Sequence, residues 1–177
     1  MRGRPQADEA QTYYFTYIDK VEGDDICAIL EAQGPETIAF LQTVSDAQSL
    51  YRYEPGKWTI RETVGHVNDV ERLVVSRAMW FARGFDTELP SFDQNVAVAT
   101  AASNERTWAS LVEEFRTVRA ATVTFFNSLP AEAWQRRGVA SGYSFSVLAC
   151  AFIVAGHVTH HNAILRERYL RPSGALR

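Results

Sequence analysis

Apolar residues recur along most of the chain at spacings of three and four, which is the periodicity of an amphipathic α-helix. The pattern predicts four long helices. The first begins at Asp24 or Asp25, either of which can cap a helix, and the others cover about 59–83, 103–129 and 146–169. Thr59 and Glu62 have the spacing of a capping box at the start of the second helix.

The connections between these helices carry their own signals. Gly34-Pro35 falls inside the first helix, and we expect a kink or break there because proline lacks a backbone N–H and clashes with the preceding turn. The connection over 85–102 should become helical after Asp93, and the segment RRGVASGYSF predicts a loop. No stretch alternates convincingly as a β-strand and no repeat is found, so the predicted fold class is all-α, a four-helix bundle.

The chain has 177 residues, which predicts one domain with a sizeable core. We assign residues 11–171 to a single bundle domain, 1–10 to a flexible N-terminal tail and 172–177 to a C-terminal tail. The aromatic-rich segment TYYFTYIDKVEG should pack across the bundle as a short helix or an extended arm. Its tyrosines, and Trp58 at the start of the second helix, are expected to serve packing.

Charge and composition exclude several classes of function. The net charge of −3 gives no basic field for nucleic acid or for an anionic membrane surface. No apolar run approaches the length of a membrane span, and the N-terminus lacks the apolar core of a secretory signal. We therefore expect a cytoplasmic protein in which Cys27 and Cys150, both among apolar neighbours, are inert buried thiols.

Histidines carry the clearest chemical signal. His157 and His161 lie four apart on the fourth predicted helix and share one of its faces, while His66 lies on the second helix. Three imidazoles can bind one metal ion and leave a position open, which is the pattern of catalytic sites. The pair alone is a weak signal, because histidines also cap and pack helices, and Val158 stands where a HExxH protease motif has its glutamate.

Four segments resemble the DinB/YfiT-like superfamily in order and spacing: YRYEPGKWTIRETVGHVNDVERLVVSRAMWFARG, FDQN, LPAEAWQRRG and GHVTHHNAILRERYL. The resemblance extends over 13–170. It implies a four-helix bundle, commonly a homodimer, that binds a divalent metal through His66, His157 and His161. His160 matches no ligand position, and Gly34-Pro35 departs from the uninterrupted first helix of the family.

The resemblance also implies a range of functions. Some members of the family are transferases that use bacillithiol, mycothiol or glutathione, one is a thiol-dependent isomerase, and others are described as metal-dependent hydrolases. We therefore expect an enzyme that uses zinc, nickel or iron on a small-molecule substrate, with thiol transfer slightly favoured over hydrolysis. The alternatives are a non-catalytic, stress-associated metal-binding bundle and a small-molecule binding module without metal.

Three further residues are candidates for a catalytic role. Asp69 can orient an imidazole or relay a proton, or it can be a surface charge paired with Arg72 or Arg61. Asp93 follows a loop proline and lies either at the mouth of a pocket or at a helix cap. Asn162 either hydrogen-bonds near the site or faces solvent.

Overall fold

The computed structural model describes residues 3–170, and in it the chain forms the expected bundle. Its helices are α1 (Phe15–Ile18), α2 (Ile26–Leu41), α3 (Ile60–Ala82), α4 (Gln94–Thr100), α5 (Trp108–Asn127) and α6 (Val147–Ile164), and its strands are β1 (Arg137–Ala140) and β2 (Tyr143–Ser146). The four long helices are α2, α3, α5 and α6. Helix α3 packs against α5 and α6, as does α2, and α1 lies across α6.

Two of the predicted helix starts are confirmed by their caps. Asp25 accepts a hydrogen bond from the backbone N–H of Ala28 at the start of α2. Thr59 and Glu62 form the complete capping box of α3, in which each side chain accepts a hydrogen bond from the other residue's backbone N–H. Each cap satisfies helical N–H groups that have no partner within the helix.

Helix α5 begins later than predicted. Residues Ser103–Glu105 form a separate 3-10 turn, and Thr107 caps the helix by accepting from the backbone N–H of Ser110. The start at residue 103 was wrong because a tertiary contact bends the chain here: the buried guanidinium of Arg61 donates to the carbonyl oxygens of Asn104 and of Arg106. The local sequence around residue 103 does not reveal this contact with Arg61.

The expected break at Gly34-Pro35 is also wrong, since α2 is continuous through both residues. Pro35 faces solvent, where water can satisfy the carbonyl that lacks its helical N–H partner. Gly34 faces the bundle, where an added Cβ would lie 3.1 Å from Cγ of Arg119. Glycine therefore serves here as a point of close approach between α2 and α5 rather than as a helix stop.

A short β-hairpin replaces the loop expected before α6. Strands β1 and β2 pair antiparallel, with Arg137 opposite Ser146 and Ala140 opposite Tyr143. Ser141 and Gly142, both with positive φ, form a two-residue turn of the kind that matches the twist of a hairpin. The expectation of no strand fails because each strand has four residues, too few for a clear alternation in the sequence.

Helix α6 is the core of the molecule. Every residue from 147 to 158 is buried, so this helix is apolar on all sides. The stretch Val147–Tyr169, in which α6 continues into a π-helical turn, is long and apolar enough to cross a membrane, but 78% of its most apolar window is buried inside the bundle. This burial is typical of the central helix of a bundle.

A buried polar network connects the four long helices. Arg119 of α5 donates through Nε and one terminal nitrogen to the two carboxylate oxygens of Glu71 on α3, at 2.8 Å each. Its other terminal nitrogen donates to the amide oxygen of Gln33 on α2, at 2.8 Å. The amide nitrogen of Gln33 donates to the carbonyl oxygen of Ala155 and to the hydroxyl of Thr159, both on α6, at 2.9 Å.

The N-terminal segment that we expected to be a flexible tail makes specific contacts from Arg4 onwards. The Arg4 guanidinium donates to the carbonyl oxygens of Val21 and Ile18, at 2.6 and 2.9 Å. The carbonyl oxygen of Glu9 accepts from the backbone N–H of Ser146 at 2.9 Å. The C-terminal tail at 172–177 lies outside the described residues.

Helix α1 rests on α6 at Gly156, and this contact yields a stability prediction. A Cβ at this position would overlap the backbone carbonyl of Tyr17, which cannot move without displacing α1. We expect Gly156→Ala to lower the free energy of unfolding by about 1–3 kcal/mol, the usual cost of overpacking a core. Urea denaturation followed by far-UV circular dichroism measures the change. Gly65→Ala is the control, because its Cβ meets only the side chain of Ser103; an equal loss in both variants would contradict the prediction.

Candidate metal centre

Three histidine side chains converge at the middle of the bundle. His66 comes from α3, and His157 and His161 come from successive turns of α6. The Nε2 atom of His157 lies 3.1 Å from Nε2 of His66 and 3.1 Å from Nε2 of His161. Their exposed fractions are 3%, 5% and 9% in chain order, so the cluster is almost shielded from solvent.

This arrangement fits a bound cation better than direct hydrogen bonding. One imidazole nitrogen offers either one hydrogen or one lone pair, so Nε2 of His157 cannot make two full hydrogen bonds to its two neighbours. Nitrogens that bind one zinc ion at about 2.0–2.1 Å lie roughly 3–3.4 Å from each other, which matches the two separations of 3.1 Å from Nε2 of His157. All three ligand nitrogens lie within 4.8 Å of one another. In addition, Nδ1 of His66 and Nδ1 of His161 are buried without a hydrogen-bond partner among the described residues.

Burial also sets the protonation state of the cluster. Desolvation lowers the pKa of His66 to about 4 and that of His161 to about 3, with smaller contributions from neighbouring imidazoles. For His157 the same cause holds the pKa well below its usual value. All three rings are therefore neutral at pH 7, which is the form in which histidine binds metal.

Aromatic rings enclose the cluster on both sides. The ring of Trp58 lies 4.9 Å from that of His66, and the edge of Tyr17 packs on His157 with 5.2 Å between ring centroids. The Tyr17 hydroxyl is hydrogen-bonded to that of Tyr13 at 3.0 Å. From the sequence, Trp58 and the tyrosines were expected to serve packing, since nothing in their spacing marks them as neighbours of a polar site.

A cavity of about 470 Å³ opens from the cluster towards the surface, a volume within the usual range for small-molecule sites. It lies between α3 and the tyrosines that precede or form α1, and the residues 91–94 close one side. His66 and His157 both face it. A smaller cavity, of about 210 Å³, is lined by His161 together with Trp58 and Tyr169, so the cluster borders two cavities.

Comparison with known proteins identifies the family. The sequence model of the DinB superfamily matches residues 29–165, which is most of the chain. The chain belongs to the DinB superfamily. This confirms the resemblance noted in the sequence.

Solved structures with the same fold include two enzymes or probable enzymes. One is YfiT from Bacillus subtilis, described as a probable metal-dependent hydrolase with an unusual four-helix bundle topology; it is 15% identical, with a TM-score of 0.73 over 95% of this chain and 92% of that one. The other is a mycothiol-dependent maleylpyruvate isomerase, also 15% identical, with a TM-score of 0.66 over 78% of this chain. The match spans only 58% of the isomerase chain. At this identity the likeness shows the fold, and no curated protein matches the sequence significantly.

Asp69 does not reach the histidines in this DinB superfamily member. Its carboxylate lies 3.7 Å from the guanidinium of Arg72 and lines a separate hollow beside Glu114. Partial burial raises its pKa, and the positive charge of Arg72 opposes that rise. Arg61, the other partner considered from the sequence, pairs with Asp46 at 2.7 Å. We therefore assign Asp69 to a surface ion pair and withdraw its catalytic role.

The two remaining candidates, Asp93 and Asn162, differ in whether they line the large cavity. Asp93 caps α4 by accepting from the backbone N–H groups of Asn95 and Val96, and it also lines the large cavity, so both of its expected roles coexist. Asn162 instead donates to the hydroxyl of Thr37 at 2.9 Å and ties α6 to α2. Its side chain forms no hydrogen bond with the three histidines among the described residues, so we do not retain it as a candidate. Half-buried His160 packs against Tyr17 outside the cluster.

The lowered histidine pKa values make the stability of the metal-free DinB protein depend on pH. Below about pH 6.5 each histidine takes up a proton in the unfolded chain but not in the folded protein, so stability falls as pH falls. Between pH 7.5 and 5 we expect a loss of about 2 kcal/mol for each of the three buried imidazoles. Urea denaturation at several pH values, with a chelator present, measures this loss in the free energy of unfolding.

A histidine-to-asparagine series provides the matched control for this pH dependence. His157→Asn should remove roughly one third of it, since one of three titrating groups is lost. His160→Asn should have a smaller effect, because its ring is only half buried. A stability that does not change between pH 7.5 and 5 would show that the cluster is not held neutral by burial.

Proposed function

We propose that this chain is a metal-dependent enzyme acting on a small molecule, in which His66, His157 and His161 bind a divalent transition metal. The observation that carries the proposal is the convergence of three neutral imidazole nitrogens at the inner end of a cavity of about 470 Å³. A purely structural metal site would have a closed set of four protein ligands. Among the described residues, the metal-ligand cluster contains these three histidines and no fourth.

A divalent cation bound by three imidazoles acts as a Lewis acid and lowers the pKa of a nucleophile such as water or a thiol. The protein's own groups set what else can happen at the site. Burial raises the pKa of the Tyr17 phenol, so its hydroxyl keeps its proton and can donate a hydrogen bond into the cavity. Of the described residues that line this cavity, Asp93 is the one with a carboxylate, and the α4 cap engages it.

Among the described residues the metal-ligand cluster contains no carboxylate, which favours a thiol over water as the nucleophile. A thiol has a pKa of about 8.5 and reacts as the thiolate, whereas water needs a much larger lowering of its pKa or an adjacent general base. The two cavities that meet at the cluster also suit a reaction between two molecules, a thiol and an electrophile. We therefore propose thiol-dependent transfer, with a low-molecular-weight thiol as co-substrate and zinc, nickel or iron as the metal.

Hydrolysis is the second candidate, and it rests on the open position that three nitrogen ligands leave for water. A non-catalytic metal-binding bundle is the remaining alternative, although a closed coordination set is not what the described residues provide. The homodimer and the cytoplasmic location stay predictions from the sequence.

Metal content tests the ligand assignment directly. Elemental analysis of the purified protein, before and after chelation, should find about one transition-metal ion per chain. His157→Ala and His161→Ala should each lower this content sharply while leaving the far-UV helical signal nearly unchanged, because the bundle is held by its core and by the Arg119 network. His160→Ala is the matched control and should keep the metal. Full metal content in His157→Ala would show that the assignment is wrong.

Turnover assays separate the proposed reactions. Metal-loaded protein should consume electrophiles only when a thiol such as glutathione, mycothiol or bacillithiol is present, and His66→Ala should abolish this activity. Product formation without a thiol, from ester or amide substrates, would favour hydrolysis instead. Stoichiometric metal with no turnover in either assay would favour the non-catalytic bundle.

A further inference from the structure

Among the described residues, three arginines are buried, and two of these three have a carboxylate partner. Arg119 is paired with Glu71, and Arg61 is paired with Asp46 at 2.7 Å. Arg77, 6% exposed, has no carboxylate within ion-pair distance among the described residues. A buried cation without a counter-ion is destabilising. A bound anionic ligand would supply the counter-ion that the protein does not give to Arg77.

The contacts of Arg77 hold its guanidinium in place without neutralising it. One terminal nitrogen donates to the carbonyl oxygen of Pro90 at 2.8 Å and lies 3.3 Å from the hydroxyl of Ser141. The Nε atom is buried and has no hydrogen-bond partner among the described residues. The same side chain lines the cavity that opens from the histidine cluster. Arg77 therefore brings an uncompensated positive charge, with one donor still unpaired, to the wall of that cavity.

The position of Arg77 relates it to the histidines. His66 and Arg77 are eleven residues apart on α3, which is three helical turns, so both lie on one face of the helix about 16 Å apart along its axis. Val70, Leu73 and Val74 lie between them and line the same cavity. The cavity thus has a cluster of neutral imidazoles at one end, an apolar wall along α3 and a cation towards the other end.

We propose that this cavity takes an organic substrate that carries an oxyanion, a carboxylate or a phosphate, and that Arg77 binds this group. Planar guanidinium groups recognise both kinds of oxyanion through charge-assisted hydrogen bonds. The apolar body of the substrate lies between α3 and the tyrosines that line the cavity. The end of the substrate opposite the oxyanion lies at the histidines. Asp93, the one acidic residue among the described lining, caps α4 through one carboxylate oxygen and forms no ion pair with Arg77. The reaction at the histidine end rests on the proposed function, whereas the anion site does not.

Binding of benzoate and of its uncharged isostere benzamide tests the proposal. Protein as purified and protein stripped of metal are titrated with each compound by calorimetry, and the arginine Nε–H signals are followed by NMR. Benzoate should bind at least about tenfold more tightly than benzamide, as expected for a charge-assisted hydrogen bond, and should shift the Nε–H signal that is absent from Arg77→Gln.

Two variants make the test specific. Arg77→Gln should weaken benzoate binding by at least about tenfold and leave benzamide binding unchanged, because only the charged contact is removed. Arg83→Gln, at the exposed end of the same helix, should bind benzoate like the unmodified protein. Far-UV circular dichroism checks folding, and the comparison of benzoate with benzamide stands on the unmodified protein alone if Arg77→Gln does not fold.

The outcomes distinguish this inference from the proposed function. Benzoate binding that depends on Arg77 in metal-free protein supports the anion site even if no metal is ever found. Equal binding of benzoate and benzamide, or unchanged benzoate binding in Arg77→Gln, overturns it even if the histidines hold a metal. Competition with inorganic phosphate identifies the kind of oxyanion: displacement at lower concentration than benzoate points to a phosphate, and weak displacement points to a carboxylate.

Discussion

The ion pair between Arg119 and Glu71 is the interaction on which the arrangement of this bundle depends. Burying two charges carries a large desolvation penalty, and the pair is stable only because its geometry is bidentate and its remaining donors are satisfied. Gln33 supplies part of that satisfaction and extends the network to Ala155 and Thr159. One set of polar contacts thereby fixes the register of α2, α3, α5 and α6 relative to each other, which apolar packing alone specifies less sharply.

The geometry of the histidine cluster depends on this register of the helices. Ala155 and Thr159 flank His157 on α6, and Glu71 lies little more than one turn beyond His66 on α3. Elements fixed by the network therefore bring Nε2 of His66 and Nε2 of His161 each to 3.1 Å from Nε2 of His157. Their burial keeps them neutral, so lone pairs rather than positive charges face the common centre. The site is formed by the fold itself, in the manner of a preorganised ligand set.

The sequence predicted those features that depend on local patterns. Apolar periodicity and caps located the long helices. The positions of His66, His157 and His161 on two helices suggested a three-nitrogen set, and the resemblance to a family strengthened that assignment. The failures lie where a distant contact overrides a local signal. Arg61 bends the chain ahead of α5, the close approach of Arg119 explains Gly34, and the hairpin is too short to show its alternation. Arg77 was missed for the same reason, since only the assembled bundle shows which arginines have a carboxylate partner.

The buried arginines differ in whether the protein itself compensates their charge. Arg119 and Arg61 compensate their desolvation within the protein, and each connects elements distant in sequence. Arg77 is equally buried but receives only a carbonyl and a hydroxyl, so the folded protein keeps an electrostatic cost that an apolar residue would avoid. Departures from full polar satisfaction are concentrated at functional sites, because the missing partner belongs to the ligand. Here Nε of Arg77 and Nδ1 of His66, both without a partner among the described residues, lie on residues that line one cavity, which supports the proposal that the cavity, rather than the histidines alone, is the functional unit.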